Sequence, residues 1–174
     1  IYYNSHVINK YRDREINLNR QARYEKQYKK YEGVAQPKIT SADLKVDIFP
    51  EKRGFSATGS FVLLNKTDNP IQDIHVLDAN QALKTVKFDR GSKETLADPD
   101  LGYHIYQLAE PLKPHESLKM DFEVGWMAKG FASGESKPEF AYNGTFFDRG
   151  YFPVIGYSED GEIGDENDRK DKKL

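Results

Sequence analysis

The alternation of apolar and polar residues from Ile39 to Asn65 predicts two antiparallel strands joined by a turn. Apolar side chains alternate with charged ones from Asp43 to Ile48, which gives a strand one apolar and one charged face. Proline and glycine interrupt the pattern at Pro50 to Gly54, and alternation resumes from Phe55 to Leu63. A β-hairpin is the natural interpretation.

The same pattern of short strands and turns continues from the hairpin to about residue 157. Ser117 to Met127 has five apolar positions in succession at a period of two, which predicts a central strand. Shorter strands are predicted around Ile71–Leu77, Leu83–Asp89 and Tyr103–Leu108. Strands at this spacing predict a mostly β fold, an antiparallel two-sheet β-sandwich.

The ends of the chain have a different pattern. Residues 1–36 are rich in charge, carry tyrosines at roughly helical spacing and lack Gly and Pro from 10 to 31, so they predict one long charged α-helix acting as a stalk or linker. Residues 158–174 carry many charges and little to bury, which predicts a flexible tail. The β-sandwich domain is assigned to residues 38–157.

Composition narrows the possible functions. The chain has 174 residues, a net charge of −2 and acids mixed with its basic residues, so no nucleic-acid partner is expected. It has no cysteine, which excludes disulfides, thiolate metal sites and cysteine nucleophiles. No apolar run reaches membrane-spanning length, so we expect this piece to be soluble. Its first residue, Ile1, fits a piece of a longer protein.

Catalytic signatures are missing from the sequence. The four histidines form no His-Glu-x-x-His pair, and no nucleophile elbow, phosphate loop or dinucleotide fingerprint is found. The acidic residues of the tail lack the spacing of a calcium loop. The chain alone is therefore predicted to be non-catalytic, with no catalytic residue, metal site or cofactor of its own.

Several segments, taken in order, resemble one family. They are Leu44–Asn65, Asn69–Val76, Leu108–Leu118 and the strand from Leu118 that ends at Gly130-Phe131. Together they are similar to the N-terminal saddle-shaped β-sandwich of aminopeptidase N-like zinc metallopeptidases, over about residues 38–157. The resemblance implies a saddle-like domain in a zinc-dependent aminopeptidase, with the zinc held by a catalytic domain downstream of this chain.

Within that family the chain looks closest to bacterial members fused to membrane-spanning, transport-permease-like segments. The run Tyr142–Phe147 and the pairs Phe152-Pro153 and Gly156-Tyr157 carry this similarity. The resemblance implies that the charged helix is a stalk leaving the membrane, through segments upstream of the chain. It also implies an extracytoplasmic location.

The resemblance further suggests site residues. Asn143 falls near the position from which family members bind the free amino group of a peptide substrate, before a Phe-Pro pair. The family's usual Gln with a nearby Glu and its Cys-Phe-Asp-Glu-Pro ending are absent, and Asn143-Gly144 also fits a simple bulge or turn. A surface that docks on the catalytic domain is expected around five aromatic residues: Tyr142, Phe146, Phe147, Tyr151 and Phe152.

Two functions remain open from the sequence. The first is a non-catalytic accessory domain that packs against the downstream metallopeptidase domain of the same polypeptide and lines its substrate cleft. The alternative is a free-standing binding module for adhesion or carbohydrate recognition, because eleven tyrosines and one tryptophan permit sugar stacking.

Overall fold

The computed structural model describes residues 14–127, 140–141, 144–145 and 149–174. Its elements in chain order are α1 (Arg14–Tyr28), β1 (Lys38–Phe49), β2 (Gly54–Leu64), β3 (Ile71–Leu77), β4 (Leu83–Phe88), β5 (Ser92–Asp98), β6 (Tyr103–Leu112), β7 (Ser117–Met127), β8 (Phe140–Ala141), β9 (Gly144–Thr145), β10 (Val154–Ile155) and α2 (Glu166–Asp171). Two antiparallel four-stranded sheets form, in the orders β1-β2-β7-β4 and β10-β3-β6-β5, and β8 pairs with β9 separately. We call the first sheet A and the second sheet B.

The predicted hairpin forms the start of sheet A. β1 and β2 pair from Phe49–Gly54 onward, with a short 3₁₀ turn at Pro50–Lys52. Arg53 closes the turn in the left-handed region, at φ 47°, before β2 begins. The predicted central strand is also confirmed, because β7 lies between β2 and β4 and buries alternate side chains along its length.

The main core lies between the two sheets. Its fully buried members come from β2, β3, β6 and β7 and include Phe55, Leu63, Ile74, Val76, Leu108, Leu118 and Met120. Each of these strands presents alternate apolar side chains to the opposite sheet, as a sandwich requires. The predicted two-sheet antiparallel β-sandwich is confirmed.

α1 covers part of the outer face of sheet B. Tyr24 and Tyr28 of α1 form a second core with Leu101, Tyr103 and Ile105. The rings of Tyr28 and Tyr103 stack with centroids 4.2 Å apart. The sequence predicted a stalk or linker here, but the described part of the helix is a third layer of the folded domain.

The segment after residue 157 also contacts α1. Ile163 is buried, and Arg169 of α2 donates hydrogen bonds to both carboxylate oxygens of the buried Glu25. Lys29 donates to Glu162 at 2.9 Å. The sequence predicted a flexible tail from its charge, whereas here the charges are paired because the carboxylate of Glu25 needs a cation when it is buried.

No helix in the described ranges is both long and apolar enough to cross a membrane.

Candidate docking groove

The most unusual surface of the domain lies along β1. The inward-facing side chains of this strand are apolar, as the alternation predicts, yet Ile39, Leu44 and Ile48 remain 39–43% exposed. β1 is an edge strand of sheet A, and its side chains are exposed or only half-buried along its whole length. Its apolar face therefore looks into an open space.

That space is a groove of about 880 Å³ between the edges of the two sheets. One wall is the inner face of β1 and β2, and the opposite wall is the segment that leads into β10. α1 and the turn at Glu159–Gly161 close one end. The apolar side chains that define it are Ile39, Leu44, Phe61, Phe152, Val154 and Ile155.

Charged groups stand around this apolar lining. Arg149 is almost fully exposed and lies 4.0 Å from the carboxylate of Asp160. On the α1 side, the guanidinium of Arg20 donates to the backbone carbonyl of Asp100 at 3.0 Å. An apolar centre with a polar rim is the usual anatomy of a surface that another protein covers.

The residues predicted from the family resemblance fall unevenly on this surface. Tyr142, Asn143, Phe146 and Phe147 lie outside the described residues. Tyr151 is buried in the main core and packs edge-on against Phe55, with ring centroids 5.1 Å apart, so it offers no surface to a neighbour. Phe152 is half-buried and lines the groove.

Sequence reasoning missed most of the groove. The apolar alternation of β1 was interpreted as a core-facing pattern, and Val154 was not singled out at all. The missing information was the strand order, because only an edge position leaves Leu44 uncovered.

A second cluster of hydrogen-bonded polar side chains lies under α1. The hydroxyl of Tyr28 donates to Asp98 at 2.7 Å, and that of Tyr157 donates to Glu162 at 2.8 Å. Burial raises the pKa of Tyr24 to about 12, so its phenol is neutral at physiological pH and no nucleophile arises there. These rings anchor the helix. Because Tyr24 and Tyr28 are buried, they are also unavailable to stack on sugars.

His75 belongs to the same cluster. Its ring is buried, with Nδ1 2.9 Å from the hydroxyl of Tyr103 and the ring of Tyr31 packed edge-on at 4.7 Å. Burial lowers the pKa of His75, and the nearby carboxylate of Asp73 opposes this only in part. The folded state thus favours the neutral imidazole.

This shift predicts a pH dependence of stability. An unfolded histidine has a pKa of about 6.5, so below that pH the unfolded chain binds the extra proton and the folded chain resists it. We expect the free energy of unfolding to fall between pH 7.5 and 5.5, by up to about 1.4 kcal/mol per pH unit. Urea titrations at the two pH values measure the loss. His75→Gln is the control, and an equal loss in that variant would contradict the assignment.

The described residues form no cluster of metal ligands. Within residues 14–127 and 149–174, no three His, Asp or Glu side chains come together as ligands. The described residues therefore do not fit a zinc ion.

Comparison with known proteins concerns the fold. No protein-family model matches the chain, and no curated protein matches its sequence. A two-domain M1 zinc metallopeptidase bound to L-tryptophan is similar over 54% of this chain and 21% of its own, with TM-score 0.40 and 11% identity. An M1 zinc metallopeptidase from Deinococcus radiodurans, bound to a Tyr-Ser-Ala substrate, is similar over 68% and 29%, with TM-score 0.44 and 11% identity. The chain thus spans less than a third of either protein.

Proposed function

We propose that this chain is a non-catalytic N-terminal accessory domain of a membrane-anchored, zinc-dependent aminopeptidase-like protein. It packs against a metallopeptidase domain of the same polypeptide and lines one wall of that domain's substrate cleft. The membrane segments lie upstream, the zinc belongs to the downstream domain, and the site faces the extracytoplasmic side.

The observation that carries the proposal is the open apolar groove. Three of the most exposed large apolar side chains line it, namely Ile39, Leu44 and Val154. Each is already more than half buried, so covering its remaining exposed part contributes roughly 1 kcal/mol, and several together stabilise a partner surface that fills the groove. The family resemblance of residues 38–157 supplies the identity of the partner.

The docking role can be tested with two matched valines. Val154 lines the groove and is 36% exposed, while Val34 lies away from it and is 44% exposed. In the complete polypeptide, Val154→Lys is expected to weaken docking by about 2 kcal/mol, roughly a 30-fold shift of the interdomain equilibrium. Val34→Lys should leave docking unchanged.

Hydrogen exchange measures the docking of this groove directly. Amides of residues 149–155 should exchange more slowly in the complete polypeptide than in the 174-residue chain, and Val154→Lys should abolish the difference. Equal exchange in both proteins would overturn the docking proposal. The reading frame that continues beyond Leu174 should also encode a His-Glu-x-x-His helix.

Asn143 would bind the free amino group of the peptide substrate in this arrangement. We expect Asn143→Ala in the complete polypeptide to raise the Michaelis constant for an aminoacyl substrate about tenfold, as for one lost charge-assisted hydrogen bond. An unchanged Michaelis constant would remove Asn143 from the site and leave the docking proposal intact.

A further inference from the structure

The edge of β1 differs from the other sheet edges of the described chain. Edge strands invite pairing with another chain, and proteins usually protect them by shortness, bulges, proline or inward-pointing charge. β10 has two residues, and the ladders of β4 and β5 are interrupted by register irregularities. β1 has one irregularity as well, between Ile39 and Ser41, but it keeps a longer uninterrupted register, from Ser41 to Phe49, with no proline and no inward charge.

The open hydrogen-bonding groups of β1 can be assigned from its neighbours. The N–H of Gly125 donates to the carbonyl of Ala82 at 2.8 Å, on the side of β4, so it points away from β2. Ser56 lies opposite Gly125 and must direct its own backbone groups towards β1, where it faces Asp47.

Alternation along β1 then fixes the rest of the edge. Odd-numbered residues from Asp43 to Asp47 bond to β2, and the even-numbered residues present their N–H and C=O groups to the open edge. These open groups belong to Ala42, Leu44, Val46 and Ile48. The same four residues carry the apolar side chains of the strand.

The outer face of β1 carries charged side chains that have no oppositely charged partner on β2. Asp43, Lys45 and Asp47 stand opposite Ser60, Thr58 and Ser56. None of the three charged side chains forms an ion pair with a residue that the structure describes.

β1 is complementary to itself in an antiparallel pairing, and one register suits it best. If two copies pair about a two-fold axis at Leu44, each Asp43 faces Lys45 of the other copy, and each Asp47 faces Ser41. A register about Lys45 would instead oppose like charges, which destabilises cross-strand pairs. A register about Val46 would also set Lys45 against Asp47, but it would place the carboxylate of Asp43 against Phe49 and the open edge of Ala42 against Pro50, which has no N–H to donate.

We infer that the partner for this edge is a second copy of the chain, paired through β1 in the antiparallel register centred on Leu44. Sheet A of each copy then continues into the other as one eight-stranded sheet. The inference does not depend on the proposed function.

Charge exchange tests both the pairing and its register. In sedimentation analysis the unaltered chain should reach about twice its 20.0 kDa mass as concentration rises. Lys45→Asp places Asp43 against an acid and should weaken the dimer at least about tenfold. The double variant Asp43→Lys/Lys45→Asp restores complementarity only in the Leu44-centred register and should recover dimerisation.

Backbone pairing has its own test. Ala42→Pro removes one N–H of the open edge without removing a bond to β2, and it should abolish the dimer while circular dichroism stays unchanged. Ala42→Val keeps that N–H and is the matched control, which should dimerise. A monomer at all concentrations, a dimer unaffected by Lys45→Asp, or failure of the double variant to recover would each overturn the inference.

The chain contains no cysteine, so disulfide formation by a single introduced cysteine shows which residue lies at the two-fold axis of the dimer. Leu44 residues facing each other in a hydrogen-bonded pair would have Cα atoms about 5.5 Å apart, a distance that a disulfide spans. Leu44→Cys should therefore oxidise to a covalent dimer. A covalent dimer from Val46→Cys and none from Leu44→Cys would overturn the register.

Discussion

Replacing Tyr103 by alanine is expected to cost about 3–5 kcal/mol of the free energy of unfolding. The side chain is fully buried between sheet B and α1. Its ring stacks on Tyr28 at 4.2 Å and meets Tyr24 edge-on at 6.1 Å, so it contacts both of the buried tyrosines of the helix. The truncation opens a cavity directly beneath α1, and this cavity should loosen the helix before the sandwich itself unfolds.

Urea unfolding measures the total cost, and hydrogen exchange of the α1 amides shows where it falls. Tyr103→Phe keeps the ring and removes only the hydroxyl that contacts His75, so it should cost about 1 kcal/mol. If both variants lose the same stability, the ring stack does not hold the helix and the three-layer description of the fold is wrong.

Gly102→Ala is the second change with a large expected effect, of about 3 kcal/mol or more. Gly102 has φ of +73°, in the left-handed region that side chains avoid. A Cβ atom there would lie 2.1 Å from the carbonyl oxygen of Asp78. To relieve that overlap, the turn that joins β5 to β6 must move. The Asp78 N–H donates a 2.7 Å hydrogen bond to the Gly102 carbonyl, which holds this turn against the end of β3.

The control for this prediction is Gly33→Ala. A Cβ at Gly33 meets nothing within 4 Å, so the change should alter stability by no more than about 1 kcal/mol, towards stabilisation. Thermal or urea unfolding of the two variants compares them. A neutral Gly102→Ala would show that the turn can relax without cost.

The sandwich could be predicted because its pattern is local. Alternation at a period of two reports which face of a strand is buried, and it placed the apolar faces of β2 and β7 correctly. Proline and glycine marked the hairpin turn for equally local reasons.

The ends of the chain show where local patterns fail. α1 and the segment after residue 157 carry so many charges that the first was predicted to be a stalk or linker and the second a flexible tail. Their few apolar side chains meet only in three dimensions, where Tyr24 stacks on Tyr157 at 5.1 Å and Ile163 is buried. Glu25 and Arg169 neutralise each other there, although 144 residues separate them.

The groove shows the same limit for the candidate site. The sequence determined that β1 has an apolar and a charged face, and it determined the class of fold to which the strand belongs. Strand order decided that β1 lies at an edge, where an apolar face stays open instead of joining the core. Exposure at an edge depends on which strands lie beside and below β1, and that information is spread over the whole chain. Only the tertiary structure therefore shows that the apolar face of β1 lines an open groove.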